Sequence, residues 1–439
     1  IPKMKPINVG LIGIGTVGGG TWTVLKRNAE EITRRAGRPI RITAVADRNV
    51  ELTKQITAGA ARVTDDPFAL VNDPEIDIIV ELIGGYTVAK DVVMQSIANG
   101  KHVVTANKAL LALHGTEIFT AAQEKGVMVA FEAAVAGGIP IIKALREGLT
   151  ANRIEWAAGI INGTTNFILS EMRDKGLSFD DVLKEAQRLG YAEADPTFDI
   201  EGVDAAHKAT LISAIAFGIP VQFDKAYIEG ITKLEASDIK YAEQLGYRIK
   251  LLGIAKRRSN GVELRVHPTL IPAKRLLANV EGAMNAVMVK GDAVGTTLYY
   301  GKGAGAEPTA SSVIADLVDV TRLATADAAH RVPHLAFQPD AMSTLPILPM
   351  SEVETGNYLR LRVEDKPGVL ADVTRILADQ GISIDAMLQR EPAEGEGEAD
   401  IIILTHVCKE SCADTAIARI EALPAQKGKV KRIRLEELQ

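Results

Sequence analysis

One stretch near the beginning of the chain decides its fold: INVGLIGIGTVG, residues 7–18. An apolar run leads here into a Gly-x-Gly-x-x-Gly motif formed by Gly13, Gly15 and Gly18, and a helical pattern follows. In this context the first glycine allows a tight turn, the second lets the backbone approach a pyrophosphate, and the third lets the helix pack closely on the strand. The pyrophosphate charge would meet the N-terminus of that helix. The motif therefore predicts a dinucleotide-binding unit.

Strand-like apolar runs alternate with helical patterns through the first third of the chain, and several of the helical patterns end at a glycine. The apolar runs are Ile7–Ile14, Ile40–Ala46, Ile76–Ile83, His102–Ala106 and Val127–Phe131. The helical patterns between them are Thr21–Arg35, Ala89–Asn99 and Gly115–Lys125. This βαβ succession predicts an open parallel sheet wound by helices, the Rossmann-type architecture of an α/β protein.

Two residues after the second apolar run bear on the choice of dinucleotide. Asp47 would accept hydrogen bonds from a ribose 2′-hydroxyl, which favours NAD. The adjacent Arg48 would stack on adenine and pair with a 2′-phosphate, which favours NADP. Thr16 and Val17 complete the loop that either cofactor would contact. We expect use of both cofactors, with a slight preference for NADP.

The composition excludes several other classes of protein. The chain has 439 residues, of which 47% are apolar and 24% charged, enough for two or three folded domains. A formal net charge of −6 argues against a nucleic-acid-binding protein. No apolar run reaches the roughly 18 residues of a membrane-spanning helix, and Ile7–Ile14 is too short and glycine-broken for a signal peptide. With only Cys408 and Cys412 there is no disulfide framework, so we expect a cytoplasmic protein.

Changes in pattern along the chain predict its domain organisation. Residues 1–133, joined by about 303–330, form the dinucleotide-binding domain, and residues 134–302 form an α+β domain for substrate binding, catalysis and dimerisation. The second of these contains a hairpin that turns at Ser259-Asn260-Gly261. Residues 331–356 carry several prolines and predict a semi-rigid linker. Residues 357–439 predict a ferredoxin-like βαββαβ module.

Four carboxylates and a lysine are concentrated around the beginning of one predicted helix: Glu193, Asp195, Asp199, Asp204 and Lys208. Such a run is usually a solvated helix start. Here, however, Asp204 and Lys208 are four positions apart on one helix and share a face. The helix continues with apolar residues nearly all round, which predicts that it is buried and carries the lysine inward. A buried lysine beside carboxylates suits proton transfer, although the pattern alone leaves a structural role open.

The same region resembles the signature of homoserine dehydrogenases. The matching positions are Ala186, Gly190-Tyr191-Ala192, Asp195-Pro196, Asp199-Ile200, Gly202, Asp204 and Lys208. Further blocks similar to the family are Thr105-Ala106-Asn107-Lys108, Glu132–Ile139, Gly163-Thr164-Thr165-Asn166 and the glycine-rich segment 303–310. The C-terminal module resembles an ACT domain, with Asp365-Lys366-Pro367-Gly368-Val369-Leu370 at its first strand–helix turn. The whole arrangement is similar to the longer, threonine-regulated bacterial members of the family.

The resemblance implies a reversible, NAD(P)-dependent interconversion of L-homoserine and L-aspartate 4-semialdehyde, a reaction of threonine, methionine and isoleucine biosynthesis. It implies that Lys208 exchanges the hydroxyl proton and that Asp204 holds and tunes this lysine. Lys108, at the end of a strand of the parallel sheet, would contact the nicotinamide side and stabilise a developing alkoxide. Either lysine fits the role of principal base, and the sequence does not decide between them.

The remaining site residues are implied by the same resemblance. Asp199 would assist at the substrate hydroxyl, Glu193 would pair with the substrate ammonium, and Gly163 and Thr164 suit its carboxylate. Further cofactor contacts are expected from a set of residues outside the first glycine motif: Thr105, Lys108, Gly303 and Gly305. A monovalent cation, Na⁺ or K⁺, would bind largely through the backbone oxygens of Glu132, Val135, Gly137 and Ile139. The alternative is that these residues form a purely structural turn.

Two other functions remain as alternatives. A different Rossmann dehydrogenase acting on an amino acid or semialdehyde would leave the Gly190–Lys208 pattern unexplained. A catalytically silent amino-acid-binding regulator would keep the fold, but the intact Lys108, Glu193, Asp204 and Lys208 count against it. The expected partners are homoserine or aspartate 4-semialdehyde, threonine as an allosteric effector, and further copies of the chain in a homodimer or homotetramer. Neither nucleic acid nor membrane is expected as a partner.

Overall fold

Two β-sheets organise the chain in the computed structural model, which describes residues 4–439. One is a six-stranded parallel sheet near the N-terminus, and the other has eleven strands drawn from the rest of the chain. The predicted α/β class with a Rossmann-type sheet is confirmed. Residues 1–3 of the first predicted domain lie outside the described part, and the predicted domain boundaries stay predictions.

The parallel sheet is built from six strands and the helices that connect them. The strands are β1 (Ile7–Ile12), β2 (Ile40–Ala46), β3 (Arg62–Thr64), β4 (Ile78–Glu81), β5 (His102–Thr105) and β6 (Val129–Ala130). The helices are α1 (Thr16–Arg27), α2 (Ala29–Ala36), α3 (Val50–Thr57), α4 (Pro67–Val71), α5 (Val88–Ala98) and α6 (Lys108–Lys125). Because the strand order is β3-β2-β1-β4-β5-β6, the direction of winding reverses between β1 and β4, where a ligand crevice opens at the carboxyl ends of the strands.

Two helices of this unit differ from their predicted bounds. The pattern Thr21–Arg35 was interpreted as one helix, but α1 and α2 are separated at Asn28, which caps the end of one and the beginning of the other. The pattern Gly115–Lys125 is only the second half of α6. That helix begins earlier because the side chain of Asn107 accepts a hydrogen bond from the Leu110 amide and caps it.

An antiparallel sheet with helices on it forms the middle of the chain. Its elements are α7 (Ile141–Lys143), β7 (Ile154–Ile160), α8 (Gly163–Lys175), α9 (Phe179–Leu189), α10 (Thr197–Ile200), α11 (Val203–Phe217), β8 (Tyr227–Ile228), α12 (Ala236–Gln244), β9 (Tyr247–Arg258), β10 (Gly261–Pro272), β11 (Met284–Gly291), β12 (Gly295–Lys302) and α13 (Ala306–Leu323). The strands lie in the order β12-β11-β7-β9-β10, and α11 packs on β9 and β10. The predicted hairpin is β9–β10, which pairs Arg258 with Gly261 across a turn at Ser259 and Asn260. Helix α13 returns to the parallel sheet and packs against α1.

The C-terminal module has the predicted βαββαβ fold and joins the middle of the chain through a continuous sheet. Its elements are β13 (Glu354–Glu364), α14 (Val369–Asp379), β14 (Ile384–Gln389), β15 (Glu398–Thr405), β16 (Cys408–Lys409), α15 (Glu410–Glu421) and β17 (Lys431–Leu435). Its strands lie in the order β17-β13-β15-β14. Strand β17 also pairs in parallel with β10, at Thr269 with Arg434 and at Leu270 with Leu435. The module therefore extends the antiparallel sheet that forms the middle of the chain.

The proline-rich segment before the module packs against the preceding unit along its length. Polar contacts fix it at several points, for example where the His334 ring accepts a hydrogen bond from the Val129 amide, the Ser343 amide donates to the Gly218 carbonyl, and the Leu348 amide donates to the Val262 carbonyl. Strand β13 begins at Glu354, earlier than the predicted module boundary. The proline-rich segment, which the sequence predicts to be a semi-rigid linker, is therefore a strap bound to the surface of the preceding unit. None of the helices within residues 4–439 has the length and apolar character needed to cross a lipid bilayer.

Candidate active site

Helix α11 carries two charged residues into the interior of the protein. Every residue from Asp204 to Phe217 on this helix is buried, as its nearly uniform apolar sequence predicts. Asp204 and Lys208 lie one turn apart on it, with 2.8 Å between the Lys208 Nζ and the Asp204 Oδ2. The Lys208 ammonium also donates to the carbonyl of Ile161, at the end of β7, over 2.7 Å. Lys208 therefore points into the interior, as the sequence predicts.

A second lysine reaches the same carboxylate from the parallel sheet. Lys108 is the first residue of α6, just beyond the carboxyl end of β5. Its Nζ lies 3.2 Å from the Asp204 Oδ1, and its side chain is 38% exposed, so it borders the crevice. Each oxygen of Asp204 therefore holds one lysine. Both lysines predicted as proton-transfer groups therefore share the Asp204 carboxylate as their counter-ion. This shared contact joins the parallel sheet to α11.

Burial and neighbouring charges set the ionisation of this cluster. Burial alone would raise the pKa of the Asp204 carboxyl, but the positive charges of Lys208 and Lys108 outweigh it and hold that pKa below its ordinary value. Burial lowers the pKa of the Lys208 ammonium, and Asp204 offsets this only in part. Asp204 is therefore an anion, and Lys208 loses its proton more readily than an exposed lysine does. This is the ionisation that a group exchanging a proton with a hydroxyl needs.

Asp199 lies beside this cluster and is joined to it by a residue that the sequence did not single out. The Asn162 side-chain amide donates to the Asp199 Oδ1 at 2.7 Å and to the Asp204 Oδ2 at 2.8 Å. Burial raises the pKa of Asp199, the hydrogen bond from Asn162 opposes that rise, and the negative charge of Asp204 adds to it. Asn162 is also the N-cap of α8, a role that an asparagine just before a helical pattern could have indicated.

The predicted substrate-binding residues lie on α8 and on the loop after α9, which together with Asp204 border what we term the substrate cleft. Gly163 begins α8, and a Cβ built on it would lie 2.8 Å from the carbonyl oxygen of Ala283, so only glycine fits there. The Thr164 hydroxyl donates to the carbonyl of Tyr191 over 2.7 Å and holds the loop that follows α9. Glu193 is exposed on this loop, and within residues 4–439 its carboxylate forms no hydrogen bond or ion pair. That carboxylate is accessible to a ligand entering the cleft.

The glycine loop has the geometry that its motif predicts. Gly13 has a φ of +101°, and a Cβ built on it would lie 2.9 Å from the Leu82 carbonyl. A Cβ on Gly18 would lie 2.0 Å from the Gly13 carbonyl oxygen, whereas one on Gly15 would meet nothing within 4 Å. The N-terminus of α1, beginning at Thr16 and Val17, faces a cavity of about 730 Å³. The cavity fits the pyrophosphate and adenosine part of a dinucleotide, because the chain leaves open the space where the pyrophosphate approaches the loop.

The predicted selectivity residues border this cavity. The Asp47 carboxylate accepts hydrogen bonds from the amides of Ile14 and Asn49, each at 2.8 Å, and so ties the end of β2 to the glycine loop. Arg48 lines the cavity, and within residues 4–439 its side chain has no ion-pair or hydrogen-bond partner. Both residues therefore occupy the position where an adenosine ribose binds in this fold.

Thr105 belongs to a buried hydrogen-bond network at the end of β5, next to the turn that leads to Lys108. Its side chain is fully buried, and its hydroxyl donates to the Glu81 carboxylate at 3.0 Å and accepts from the Asn107 amide at 3.0 Å. Asn107 in turn donates to Glu81 and to the Gly85 carbonyl. This network fixes the turn from which Lys108 projects. Glu81, which sequence reasoning missed, has a pKa raised by burial.

The predicted cation segment and the second glycine block lie against each other. A Cβ built on Gly137 would lie 2.4 Å from the Gly303 carbonyl oxygen, and Gly305 has a φ of +116° at the beginning of α13. Glu132 is buried and accepts hydrogen bonds from the amides of Ile142 and Lys143, and burial with the charge of Asp316 raises its pKa to about 7. The carbonyls of Gly137 and Ile139 already accept hydrogen bonds within the chain. The turn, which also includes Val135, fits a cation only in part.

Comparison with known proteins identifies the family to which this arrangement belongs. Residues 140–318 match the family model described as homoserine dehydrogenase, and residues 13–132 match its NAD binding domain. Residues 357–425 match the ACT domain. The chain is 63% identical over 435 residues to a homoserine dehydrogenase of Pseudomonas aeruginosa, covering 99% of this chain and 100% of that one. The chain belongs to the homoserine dehydrogenase family.

Solved structures of homoserine dehydrogenases agree with this assignment. The crystal structure of the Thiobacillus denitrificans homoserine dehydrogenase has a TM-score of 0.96 and 71% identity, covering 100% of both chains. A hyperthermophilic archaeal homoserine dehydrogenase in complex with NADPH has a TM-score of 0.63 and 26% identity, covering 74% of this chain and 100% of that one. The predicted family, the oxidoreductase activity on a CH–OH group and a nicotinamide cofactor are confirmed. Both alternative functions are thereby set aside, while the roles of individual residues remain to be proposed.

The glycine loop of this homoserine dehydrogenase family member allows a test of where the cofactor binds. We expect Gly15→Ala to fold with an unchanged thermal midpoint but to bind NADPH about tenfold or more weakly, because its methyl group enters only the open space. Gly18→Ala should lose both stability and binding, since its methyl group collides with the Gly13 carbonyl. Fluorescence titration with NADPH and thermal melting measure the two effects.

Gly19→Ala is the matched control, because its methyl group would make only an ordinary contact, 3.6 Å from the Ile14 carbonyl. Unaltered NADPH affinity of Gly15→Ala would contradict the placement of the pyrophosphate on this loop.

Proposed function

We propose that Lys208 is the principal proton-transfer group of this homoserine dehydrogenase and that Asp204 tunes it. The observation that carries the proposal is the buried contact of Lys208 with both Asp204 and the Ile161 carbonyl. A lysine whose pKa is lowered by burial can accept the C4 hydroxyl proton of homoserine in its neutral form. In the reverse direction its ammonium returns the proton to the oxygen of aspartate 4-semialdehyde. The nicotinamide cofactor, when bound, supplies the acceptor and donor of the hydride from C4.

Lys108 has a different proposed role in the same reaction. Its Nζ is less buried than that of Lys208 and lies at the crevice edge of the parallel sheet. A cation in this position stabilises negative charge on the substrate oxygen as the proton leaves or arrives. We therefore propose that Lys208 exchanges the proton and Lys108 stabilises the developing charge, while the Asp204 carboxylate offsets the repulsion between the two cations.

The rest of the substrate is proposed to bind across the mouth of the cleft. The backbone amides at the beginning of α8, at Gly163 and Thr164, suit the α-carboxylate because a helix N-terminus attracts anions. The accessible carboxylate of Glu193 suits the α-ammonium. Asp199 lies next to Asp204 and is proposed to orient the hydroxyl end.

Substitution of each lysine by methionine, which keeps the length of the side chain, separates the two roles. We expect Lys208→Met to lower kcat for homoserine oxidation by about 10²–10⁴-fold, because the proposed acceptor of the hydroxyl proton is removed. Lys108→Met should lower kcat as well but keep the rise of the rate with pH that Lys208 deprotonation produces. Initial rates of NADPH formation between about pH 6 and 10 measure both effects.

Lys240→Met is the control for loss of a lysine, because Lys240 is exposed on α12 outside this cluster. A wild-type kcat in Lys208→Met would contradict the proposal that Lys208 exchanges the hydroxyl proton of the substrate.

The choice between cofactors is proposed to rest on Asp47 and Arg48. Asp47 favours a free ribose hydroxyl, whereas Arg48 at the same edge of the cavity favours a 2′-phosphate. We propose that the enzyme uses both NAD and NADP and prefers NADP slightly. The ratio of kcat/KM with NADP to kcat/KM with NAD measures this preference. We expect Arg48→Gln to lower this ratio, because the side chain that would pair with the 2′-phosphate loses its charge.

Two further proposals concern ions and subunits. The buried turn through Glu132, Val135, Gly137 and Ile139 is proposed to hold a monovalent cation through backbone oxygens, although part of its hydrogen-bonding capacity is used within the chain. Rates in NaCl, KCl and choline chloride at equal ionic strength test this. A homodimer or homotetramer is proposed because closed symmetric oligomers are the commonest assemblies, and light scattering measures the mass.

The ACT module is proposed to bind threonine and to inhibit the enzyme through the continuous sheet. The buried Arg434 on β17 donates to the Glu229 carboxylate at 2.7 Å. The next residue, Gly230, packs so closely that a Cβ on it would lie 2.1 Å from the carbonyl oxygen of Ile200, which also accepts a hydrogen bond from Ile231. Ile200 directly follows Asp199. A shift of β17 would therefore reach an active-site carboxylate through a short series of rigid contacts.

Glu229→Gln tests this connection in the full-length enzyme. Loss of the negative charge weakens the contact with Arg434, so we expect half-inhibition to need at least about fivefold more threonine while kcat without threonine stays within about twofold of wild type. Glu421→Gln is the control, since it removes an ion pair with Lys429 inside the module. A wild-type enzyme that ignores millimolar threonine would refute the effector, and equal inhibition of wild type and Glu229→Gln would refute the route.

A further inference from the structure

We propose that Asn162 is a positioning residue that sets the distance between the two ends of the bound substrate. The inference rests on the proposed roles of the α8 N-terminus and of Asp199 and Asp204. Asn162 lies between the two groups: it follows β7 directly after Ile161 and caps α8. It does not belong to the predicted set of site residues, and it contacts the carboxylates rather than the reacting atoms.

The side chain of Asn162 uses its full hydrogen-bonding capacity in four directed bonds. Its two amide hydrogens go to the Asp199 Oδ1 at 2.7 Å and the Asp204 Oδ2 at 2.8 Å. Its carbonyl oxygen accepts from the backbone amide and from the hydroxyl of Thr165, each at 2.9 Å. Because an asparagine amide has two donors and an acceptor with two lone pairs, no bond remains to be made, and the group is 5% exposed. Its orientation is therefore fixed on both sides.

Only a carboxamide can make this set of contacts at this position. Aspartate and serine are both good helix caps, but neither donates two hydrogen bonds. Without the two donors, Asp199 and Asp204 would face each other as like charges. The other charged or titratable groups around the pair are Lys208, Lys108 and His207, and His207 is enclosed by the rings of Phe198 and Phe223. Asn162 is thus the neutral group that holds the two carboxyl groups side by side.

The consequence for catalysis is a fixed distance between the groups that bind the two ends of the substrate. The amides of α8 are placed for the substrate carboxylate, and Asp199 and Asp204 with Lys208 are placed for its hydroxyl. A single rigid side chain connects these two sets, so its loss would let them move independently. A misplacement of about 1 Å is enough to lower a rate by about 10²-fold.

Two substitutions and a control test the proposal in the full-length enzyme. Asn162→Ser keeps a capping oxygen but removes both donors, and we expect kcat to fall by about 10²-fold while the NADPH dissociation constant stays within about twofold of wild type. The acidic limb of the kcat profile, which Lys208 deprotonation produces, should move to higher pH, because without the two donors the negative charge of Asp199 and Asp204 acts more strongly on Lys208 and favours its ammonium form. Asn162→Asp should move this limb further, since it adds a third carboxylate. Thr165→Val, which removes one bond to the Asn162 oxygen but leaves both donors, should keep the wild-type profile.

The outcomes are separable from those of the proposed lysine roles. A wild-type kcat and pH profile in Asn162→Ser would overturn the proposal, whatever Lys208→Met does. A fall in kcat with an unmoved acidic limb and a lowered thermal midpoint would also overturn it, because that result is what loss of a helix cap alone produces. Wild-type activity of Lys208→Met, together with a kcat lowered about 10²-fold at an unchanged thermal midpoint in Asn162→Ser, would refute the lysine assignment and leave the positioning role supported.

Discussion

The shared carboxylate of Asp204 is the interaction on which the site depends. A buried carboxylate is stable as an anion only when positive charge and hydrogen bonds replace the water that it has lost. Here Lys208, Lys108 and Asn162 supply them, from α11, from the edge of the parallel sheet and from the beginning of α8. Because these three elements belong to different parts of the chain, the charge balance of one residue also fixes how the dinucleotide crevice meets the substrate cleft.

The parts of this site that the sequence predicted are those encoded over short distances. The glycine loop and the helix of Asp204 and Lys208 each depend on residues within a few turns, and the structure has both. The contact of Lys108 with Asp204 was beyond prediction, because it depends on how two units pack. Asn162 was missed because a capping asparagine has no local feature that distinguishes it from one that also bridges carboxylates. The family resemblance supplied the site blocks, but not their mutual geometry.

The C-terminal module shows the same division between local and distant information. Its βαββαβ pattern predicted its fold, while the parallel pairing of β17 with β10 depends on a register between strands far apart in the chain. The prolines before it predicted stiffness, which the strap has, but gave no indication of the surface that it follows. The module belongs to the same sheet as β10 and connects to α10, which carries Asp199, through Arg434, Glu229 and Gly230. The proposed regulation would use this short connection between the module and the active site.

Substitution of Asp204 by asparagine tests the central claim most directly, because the two side chains have the same shape and differ in charge. Loss of the shared anion should lower kcat for homoserine oxidation by about 10²-fold or more. It should also lower the pKa of Lys208 further, so the rise of the rate with pH should move to lower pH, since the neutral amine would form sooner. A pH–rate profile of the Asp204→Asn enzyme, with its thermal midpoint as a check on folding, is the decisive measurement. A folded variant with the wild-type kcat and the wild-type profile would contradict the account.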